Sequence, residues 1–275
     1  MDLAAMLKEA IVEAGVVVEL RGIEAAHLDD RLLQHRRQVH HTPPVPPDPP
    51  PGLWDDRSLM SEGRTGAGKH DARAAALDRL VARMVAAGPL RFTVAEGDDE
   101  RDLAYRLRHD AVVSRGWARA DELDGGRERD AFDPAAVHVL GWDGPTAVCA
   151  GRLVLPPGPL PTEEACSLVV EPRGRVVDVG RMVVAPSHQD ANHGTFVLLL
   201  GGLYLEVRRR GFGVACGMMS AAVRVMCRQL GFRVELLGPD RPYWHEVRAP
   251  VRFEVGRDAP GLVQRWRDDE ELSGH

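Results

Sequence analysis

The sequence is almost without lysine: Lys8 and Lys69 are its two lysines, and every other permanent cation is an arginine. A short arginine cluster therefore says little by itself in this chain. Lysine and arginine together number 35 against 41 acidic residues, a formal net charge of −6, which excludes a general basic surface for nucleic acid. Cysteine is scarce too. Cys149, Cys166, Cys216 and Cys227 form neither a CxxC pair nor a dense framework, and they read as reduced thiols in a reducing compartment. No stretch reaches the roughly 18 uninterrupted apolar residues of a membrane span. The first 22 residues are apolar only in patches, broken by Lys8, Glu9, Glu13 and Glu19, and no cleavage site of small residues follows. These absences predict a soluble, cytoplasmic protein.

Two blocks differ in pattern. Leu3, Met6, Leu7 and Ile11, then Ile23, Leu28, Leu32 and Leu33, have helical spacing interrupted near Gly15. The run from Thr42 to Gly52 is rich in proline, which fixes φ and removes backbone donors, and so predicts a stiff extended spacer. A third helix is expected around Ala74, Leu77, Leu80, Val81 and Met84, ending at Gly88-Pro89. Residues 1–88 are thus read as a helical extension, 89–257 as a folded α/β domain and 258–275 as a charged tail.

Within the domain, strands are expected at Leu90–Val94, Val137–Trp142, Ala147–Leu155, Arg175–Ala185, Gly213–Gly217, Arg233–Leu237 and Val251–Val255. Helices are expected over Asp99–Ser114, around Phe196, Leu199, Leu200, Leu203, Tyr204 and Val207, and over Ala221–Leu230. The alternation implies a central twisted mixed sheet of six or seven strands flanked by helices.

The charged residues that bear on chemistry are concentrated in this domain. Arg108 and Trp117 bracket the end of its first helix, and Glu128, Asp130 and Asp133 place three carboxylates in six residues. Arg152 shares strand parity with Val148, Ala150 and Val154, which puts a guanidinium on an apolar face. Such a group needs a carboxylate partner, and Asp130 or Asp133 is the nearest supplier. Asp178 and Arg181 would face opposite sides of a regular strand, but a bulge at Gly180 would bring both to one face.

The set Arg108-x3-Val112, Gly116-Trp117, Glu128-x-Asp130-x-Phe132-Asp133, Gly151-Arg152-Leu153 and Asp178-x-x-Arg181-Met182-Val183-Val184 resembles the signature of the acyl-homoserine-lactone synthases and the related N-acyl amino acid synthases. The likeness runs from about Leu103 to Gly238. It implies a GNAT fold and an N-acyltransferase of specialised metabolism or signalling. An amine would attack an acyl thioester on the phosphopantetheine of an acyl carrier protein, with no bound cofactor and no metal. By the resemblance Asp178 takes the place of a glutamate general base, one methylene longer, acting directly or through water. The amides from Met182 to Val184, those of Val183 and Val184 above all, would hold the oxyanion. Arg108, Trp117, Glu128, Asp130, Asp133, Arg152 and Arg181 would shape the pocket of a small amine or amino-acid acceptor.

Val112 stands where the family has phenylalanine. The segment Pro186–Gly194 contains one glycine where a coenzyme-A-dependent GNAT carries a glycine-rich loop whose amides cradle pyrophosphate, which favours the carrier protein as donor. Carrier proteins are acidic, so Arg208, Arg209 and Arg210 are candidate docking residues. His188, His193 and Tyr204 are candidates for protonating the leaving thiol, although solvation or packing explains them as well. Two rivals stay open: an acyl-coenzyme-A-dependent GNAT, and a non-catalytic GNAT-fold binding or sensor protein. The stretch Gly63–His70 nearly spells a phosphate-binding loop but has His70 in place of the hydroxyl residue and no preceding strand. His35, His40 and His41 lack a cysteine or carboxylate frame for a metal.

Overall fold

A computed structural model of the chain describes residues 63–189, 194–229, 232–243 and 246–256, with side chains from residue 74 onward except at Gln229. The two helices and proline spacer expected before residue 63, His35, His40, His41, His193 and the charged tail lie outside the described residues. By its contacts the chain divides into two compact units, Val17–His70 and the remainder. Of the first, only the helical start at 63–70 is described; every described strand belongs to the second. Among the described residues no helix is long and apolar enough to cross a membrane.

The chain enters through helix α1 (Gly63–Ala87), whose first turns contain the Gly63–His70 stretch as helix and not as a phosphate loop. Strand β1 (Arg91–Val94) leads to helix α2 (Asp98–Ser114). Asp98, Asp99 and Glu100 sit in the first turn of α2, where negative charge complements the helix dipole, and Ala104, Arg108, Ala111 and Val112 form its buried stripe. Strands β2 (Val137–Asp143) and β3 (Thr146–Val154) form a hairpin. A short helix α3 (Pro161–Cys166) precedes β4 (Val176–Val184). Helix α4 (Gly194–Arg209) crosses to β5 (Val214–Ser220), followed by α5 (Ala221–Gln229) and the strands β6 (Glu235–Leu236), β7 (Arg241–Tyr243) and β8 (Glu246–Glu254).

All eight strands join one sheet in the order β1-β2-β3-β4-β5-β8-β6, with β7 on β8. The sheet is larger than the six or seven strands expected, because β7 and the first half of β8 pair where no strand was read. Among the described strands only β4 and β5 run parallel to each other as neighbours, as the α4 crossover requires. Side-chain alternation sorts the two faces. Leu140, Ala150 and Val183 pack with Ala104 and Ala111 of α2, whereas Val139, Leu153, Val177 and Ala215 pack with Leu199, Leu203 and Val207 of α4. Helix α1 joins the α4 side, with Leu77, Leu80 and Val81 buried beside Tyr204 and Leu205, so this helix of the expected extension is packed onto the sheet domain.

The β4–β5 pairing is short. It covers Val176–Asp178 against Val214–Cys216 and stops there, although both strands run on, β4 paired to β3 and β5 to β8. The last close approach is at Gly217, where an added Cβ would lie 2.6 Å from the Val179 carbonyl oxygen. Backbone cannot yield as a side chain end can. Gly217→Ala should therefore cost about 1–3 kcal/mol through overpacking, read as a lower urea midpoint.

Candidate active site

β3 and β4 lose register between Ala150 and Arg152: Ala150 faces Val183 but Arg152 faces Gly180, so β4 holds one extra residue. The bulge falls just after Gly180, at Arg181, whose φ of 50° is left-handed. For a residue with a Cβ that conformation costs about 1–2 kcal/mol. What it accomplishes is a change of face. Arg181 would otherwise point toward α4, yet its guanidinium reaches Glu128 at 3.2 Å and Asp130 at 2.9 Å on the α2 side.

That side carries a continuous charged lattice. Arg108 donates to both oxygens of Asp133, at 2.7 and 2.9 Å, and to Glu128. Arg152 donates to Asp130 at 2.6 Å and to Asp133 at 2.8 Å, so it takes both carboxylates that its parity called for. The Asp130 backbone N–H also donates to Asp133, at 2.6 Å. Arg108, Glu128, Asp133 and Arg152 are each 1–2 % exposed. Burial opposes ionisation of Asp133, but hydrogen bonds and charge from Arg108, with Arg152 behind it, hold its carboxyl far below the ordinary range. Burial likewise disfavours the Arg108 cation, and its bonds to Asp133 and Glu128 outweigh that. His138 is buried beneath, its Nε2 3.3 Å from the Asp133 carbonyl oxygen and its ring edge-on to Tyr105, and burial lowers its pKa.

Asp178 lies on the same face, paired with Val154 two positions along from Arg152. Its Oδ2 accepts the Thr162 N–H at 2.8 Å and faces the Cys216 sulfur at 3.6 Å. Burial pushes its pKa up, against the lowering effect of Thr162. Its Oδ1 has no hydrogen-bond partner among the described residues and lies over Gly180, where an added Cβ would sit 3.7 Å away. Asp178 reaches the lattice through space, not through a bond.

The amides of β4 divide by ladder alternation. Ala185 N–H donates to Val148 at 2.8 Å, and Gln189 Nε2 donates to the Val184 carbonyl at 3.0 Å. Residues 185 and 183 therefore face β3, and Val184 turns its N–H and C=O the other way, toward the gap beside β5. The Val183 amide, expected as a second oxyanion donor, is engaged with Ala150.

Around Trp117, itself a candidate from the sequence, the structure gathers residues that the sequence did not point to. The Arg115 and Arg248 guanidinium groups both lie over the Trp117 ring, at 4.9 and 5.4 Å from its centroid. Arg248 also sits over Tyr243, and the Tyr243 hydroxyl accepts from Arg181 at 3.3 Å, which joins the β7–β8 hairpin to the lattice. Arg248 is paired with Glu246 at 2.8 Å, whereas no carboxylate among the described residues lies within ion-pair distance of Arg115; burial lowers the Arg115 pKa, against the charge of Glu246.

The remaining candidates sit elsewhere. Arg208 pairs with Asp78 of α1 at 3.0 Å, and Arg209 and Arg210 both pair with Glu206. Tyr204 donates its hydroxyl to Asp78 at 2.7 Å. His188 bonds Asp143 and Ser187.

On the opposite, α4 face lies an apolar cavity of about 120 Å³, whose lining includes residues of β4 and β5 just past the end of their pairing. Val179 and Met219 reach it from these strands, Met84 from α1, Leu200 from α4, and Cys227 and Phe232 from α5 and beyond.

No family model matches the sequence, and a search of the curated proteins gives no match. Solved structures do match. The AHL synthase LasI is similar with a TM-score of 0.53 at 15% identity, over 63% of this chain and 94% of that one. The CoA-dependent acyl-homoserine lactone synthase MesI gives 0.52 at 24% identity, over 64% and 94%. A third, BjaI, a CoA-dependent acyl-homoserine lactone synthase solved with SAM and isopentyl-CoA, gives 0.51 at 18% identity, over 61% and 82%. The architecture is therefore a mixed α/β fold of the GNAT type. Within that class it is the fold of the acyl-homoserine-lactone synthases, as the motifs implied.

Proposed function

We propose that the protein is an N-acyltransferase that moves an acyl group from the phosphopantetheine thioester of an acyl carrier protein to the amine of a small amino-acid-like acceptor. One observation carries this reading: the gap between β4 and β5 has a charged lattice on one face and an apolar cavity on the other. An amine and an acyl chain have opposite solvation needs, and they can meet at a point where two strands part between a polar and an apolar side. The amine nitrogen would form its bond to the thioester carbonyl carbon in that gap, and the Val184 N–H would stabilise the oxyanion. Collapse would break the C–S bond and release the thiol. Asp178 Oδ1 would take the proton that the acceptor ammonium must lose before its nitrogen can attack, and the second proton, lost from nitrogen as the amide forms, would pass to the departing thiolate. Arg108, Glu128, Asp130, Asp133, Arg152 and Arg181 would hold the acceptor side rigid, with Trp117 and Tyr243 as its wall.

The acceptor's amino-acid character is supported by Arg115, a cation on the Trp117 ring with no carboxylate at ion-pair distance among the described residues. A carboxylate on the acceptor would complete it. Arg115→Gln should raise KM about 10- to 100-fold for amino acid acceptors, the loss of one charged hydrogen bond, and leave KM for the matching carboxamides nearly unchanged. An equal effect on both would remove Arg115 from the acceptor site.

The single glycine of Pro186–Gly194 supports a donor without pyrophosphate, and Arg209 and Arg210, at the end of α4 and both paired with Glu206, would dock the acidic carrier, while Arg208 stays engaged with Asp78 of α1. The second reading, acyl-coenzyme A as donor, is favoured by the similarity to MesI and BjaI, both CoA-dependent. Mass spectrometry of thiol release from acyl carrier protein and from acyl-coenzyme A, against a panel of amines, separates the two. Turnover with the carrier-bound donor is expected. Turnover with coenzyme A alone would reassign the donor, and none with either would leave a binding or sensor protein.

A further inference from the structure

The apolar cavity has a floor that the sheet and its crossover helix do not supply. Met84, with Leu80 and Val81, comes from α1, a helix that precedes every strand of the domain. Its approach to α4 is close. At Gly201 an added Cβ would lie 2.7 Å from Met84 Cε and 2.8 Å from Val85 Cγ2, so α1 is seated against a glycine of α4 and the Met84 side chain lies at the junction. The seat is fastened by Arg208 and Tyr204 of α4, which bond the two oxygens of Asp78 on α1. A wall so anchored can limit what enters. Met84 is a flexible, partly buried thioether, suited to pack along a chain of methylenes.

We propose that α1 measures the acyl chain, with Met84 as the residue that ends it, and that the donor group is a short-to-medium straight chain. This rests on the acyltransferase reading above. An apolar cavity of roughly 150 Å³ takes a benzene-sized body, and the cavity here is about 120 Å³. It therefore holds about four to six terminal carbons, and the carbons nearest the thioester lie in the strand gap beside Val179 and Met219. The chain length favoured is then about six to eight carbons. Each methylene entering the cavity strengthens binding by roughly fourfold, and the gain stops when the chain meets Met84.

The test uses the full chain and S-alkyl thioethers of phosphopantetheine with four to twelve carbons, which bind without reacting, measured by calorimetry. Affinity should climb about fourfold per carbon and break near six to eight. In Met84→Ala the break should move to chains about two to three carbons longer, the space freed by the side chain. Gly201→Ala, which crowds Met84 from behind, should move it shorter, and it serves equally if Met84→Ala unfolds, which the melting curve shows. A break that neither folded variant moves, or affinity independent of chain length, overturns the proposal while leaving the acyltransferase reading intact. No binding at any length, together with no thiol release from any donor, overturns both.

Discussion

Replacing Asp133 with alanine should destabilise the protein by about 3–5 kcal/mol, the cost of removing one partner from a buried ion pair. Asp133 accepts from Arg108 twice, from Arg152 once and from the Asp130 amide. Its loss leaves Arg108 and Arg152, both nearly inaccessible to water, sharing only Glu128 and Asp130. For a domain of this size the melting temperature should fall on the order of 10 °C. The pH dependence has a definite sign. The folded carboxyl titrates far below its unfolded value of about 3.9, so the wild type carries the full contribution above that value and loses it as the pH falls through and below it. Urea unfolding of wild type and variant should differ by a constant amount above about pH 5. The difference should shrink as the pH falls below about 3.9, and much of it should still be present at about pH 3, because the folded carboxyl stays ionised there. A difference under about 1 kcal/mol at neutral pH would mean that the lattice is dispensable to the fold.

The lattice was readable in sequence because one-dimensional parity carries a three-dimensional constraint. Arg152 shares the parity of Val148, Ala150 and Val154, and a guanidinium on an apolar face has to find carboxylates, which stood 19 and 22 residues upstream. The period of two likewise located β2, β3 and β4, and the period of 3.6 located α2 and α4. The bulge was expected at Gly180 because glycine is where strands commonly yield. The structure puts the left-handed residue one place later, at Arg181, where ion pairs to Glu128 and Asp130 offset the cost of a Cβ at positive φ.

What stayed hidden has a physical reason in each case. Helix α3 is a single short turn, too brief for periodicity, and its role is visible only through the Thr162 amide on Asp178. β7 and β8 pair from Tyr243 and Glu246 outward, and the sequence between them, Trp-His, lacks the Asn-Gly or Asp-Gly signal by which a hairpin is recognised. Arg248 and Tyr243 were accordingly not linked to Trp117 or Arg181, since pairs 131 and 62 positions apart leave no local trace. The side to which each β4 amide points depends on the shifted register, so Val183 and Val184 could not be told apart in advance. Helix α1 was set with the extension because Gly88-Pro89 is a strong stop. A helix can end and still pack on a later element of the chain, as Leu77 and Leu80 do beside Tyr204 and Leu205 of α4.

Asp178→Asn should lower kcat by about 10²- to 10⁴-fold, the usual contribution of a general base, with KM little changed. The substitution is nearly isosteric, and the asparagine oxygen can still accept the Thr162 N–H, so α3 and the end of the β4–β5 pairing should stay in place. Loss of rate would then report chemistry and not unfolding. Asp178 acts as a base only when ionised, and burial raises its pKa, so the acidic limb of the kcat/KM profile should lie above the range of an ordinary aspartate. Rate should rise with pH through that limb in the wild type, and the limb should vanish in the variant. Burial of a reluctant carboxylate also weighs against the fold near neutrality, and removing the charge should leave stability equal or slightly higher there. As the proposed base, Asp178 would work through one water and not across the gap, since its Oδ1 lies over Gly180, a residue without a side chain. Gly180→Val would fill that space and should reduce kcat comparably while Asp178 stays intact. A variant pair with less than tenfold loss and an unchanged acidic limb would assign Asp178 to anchoring α3 alone.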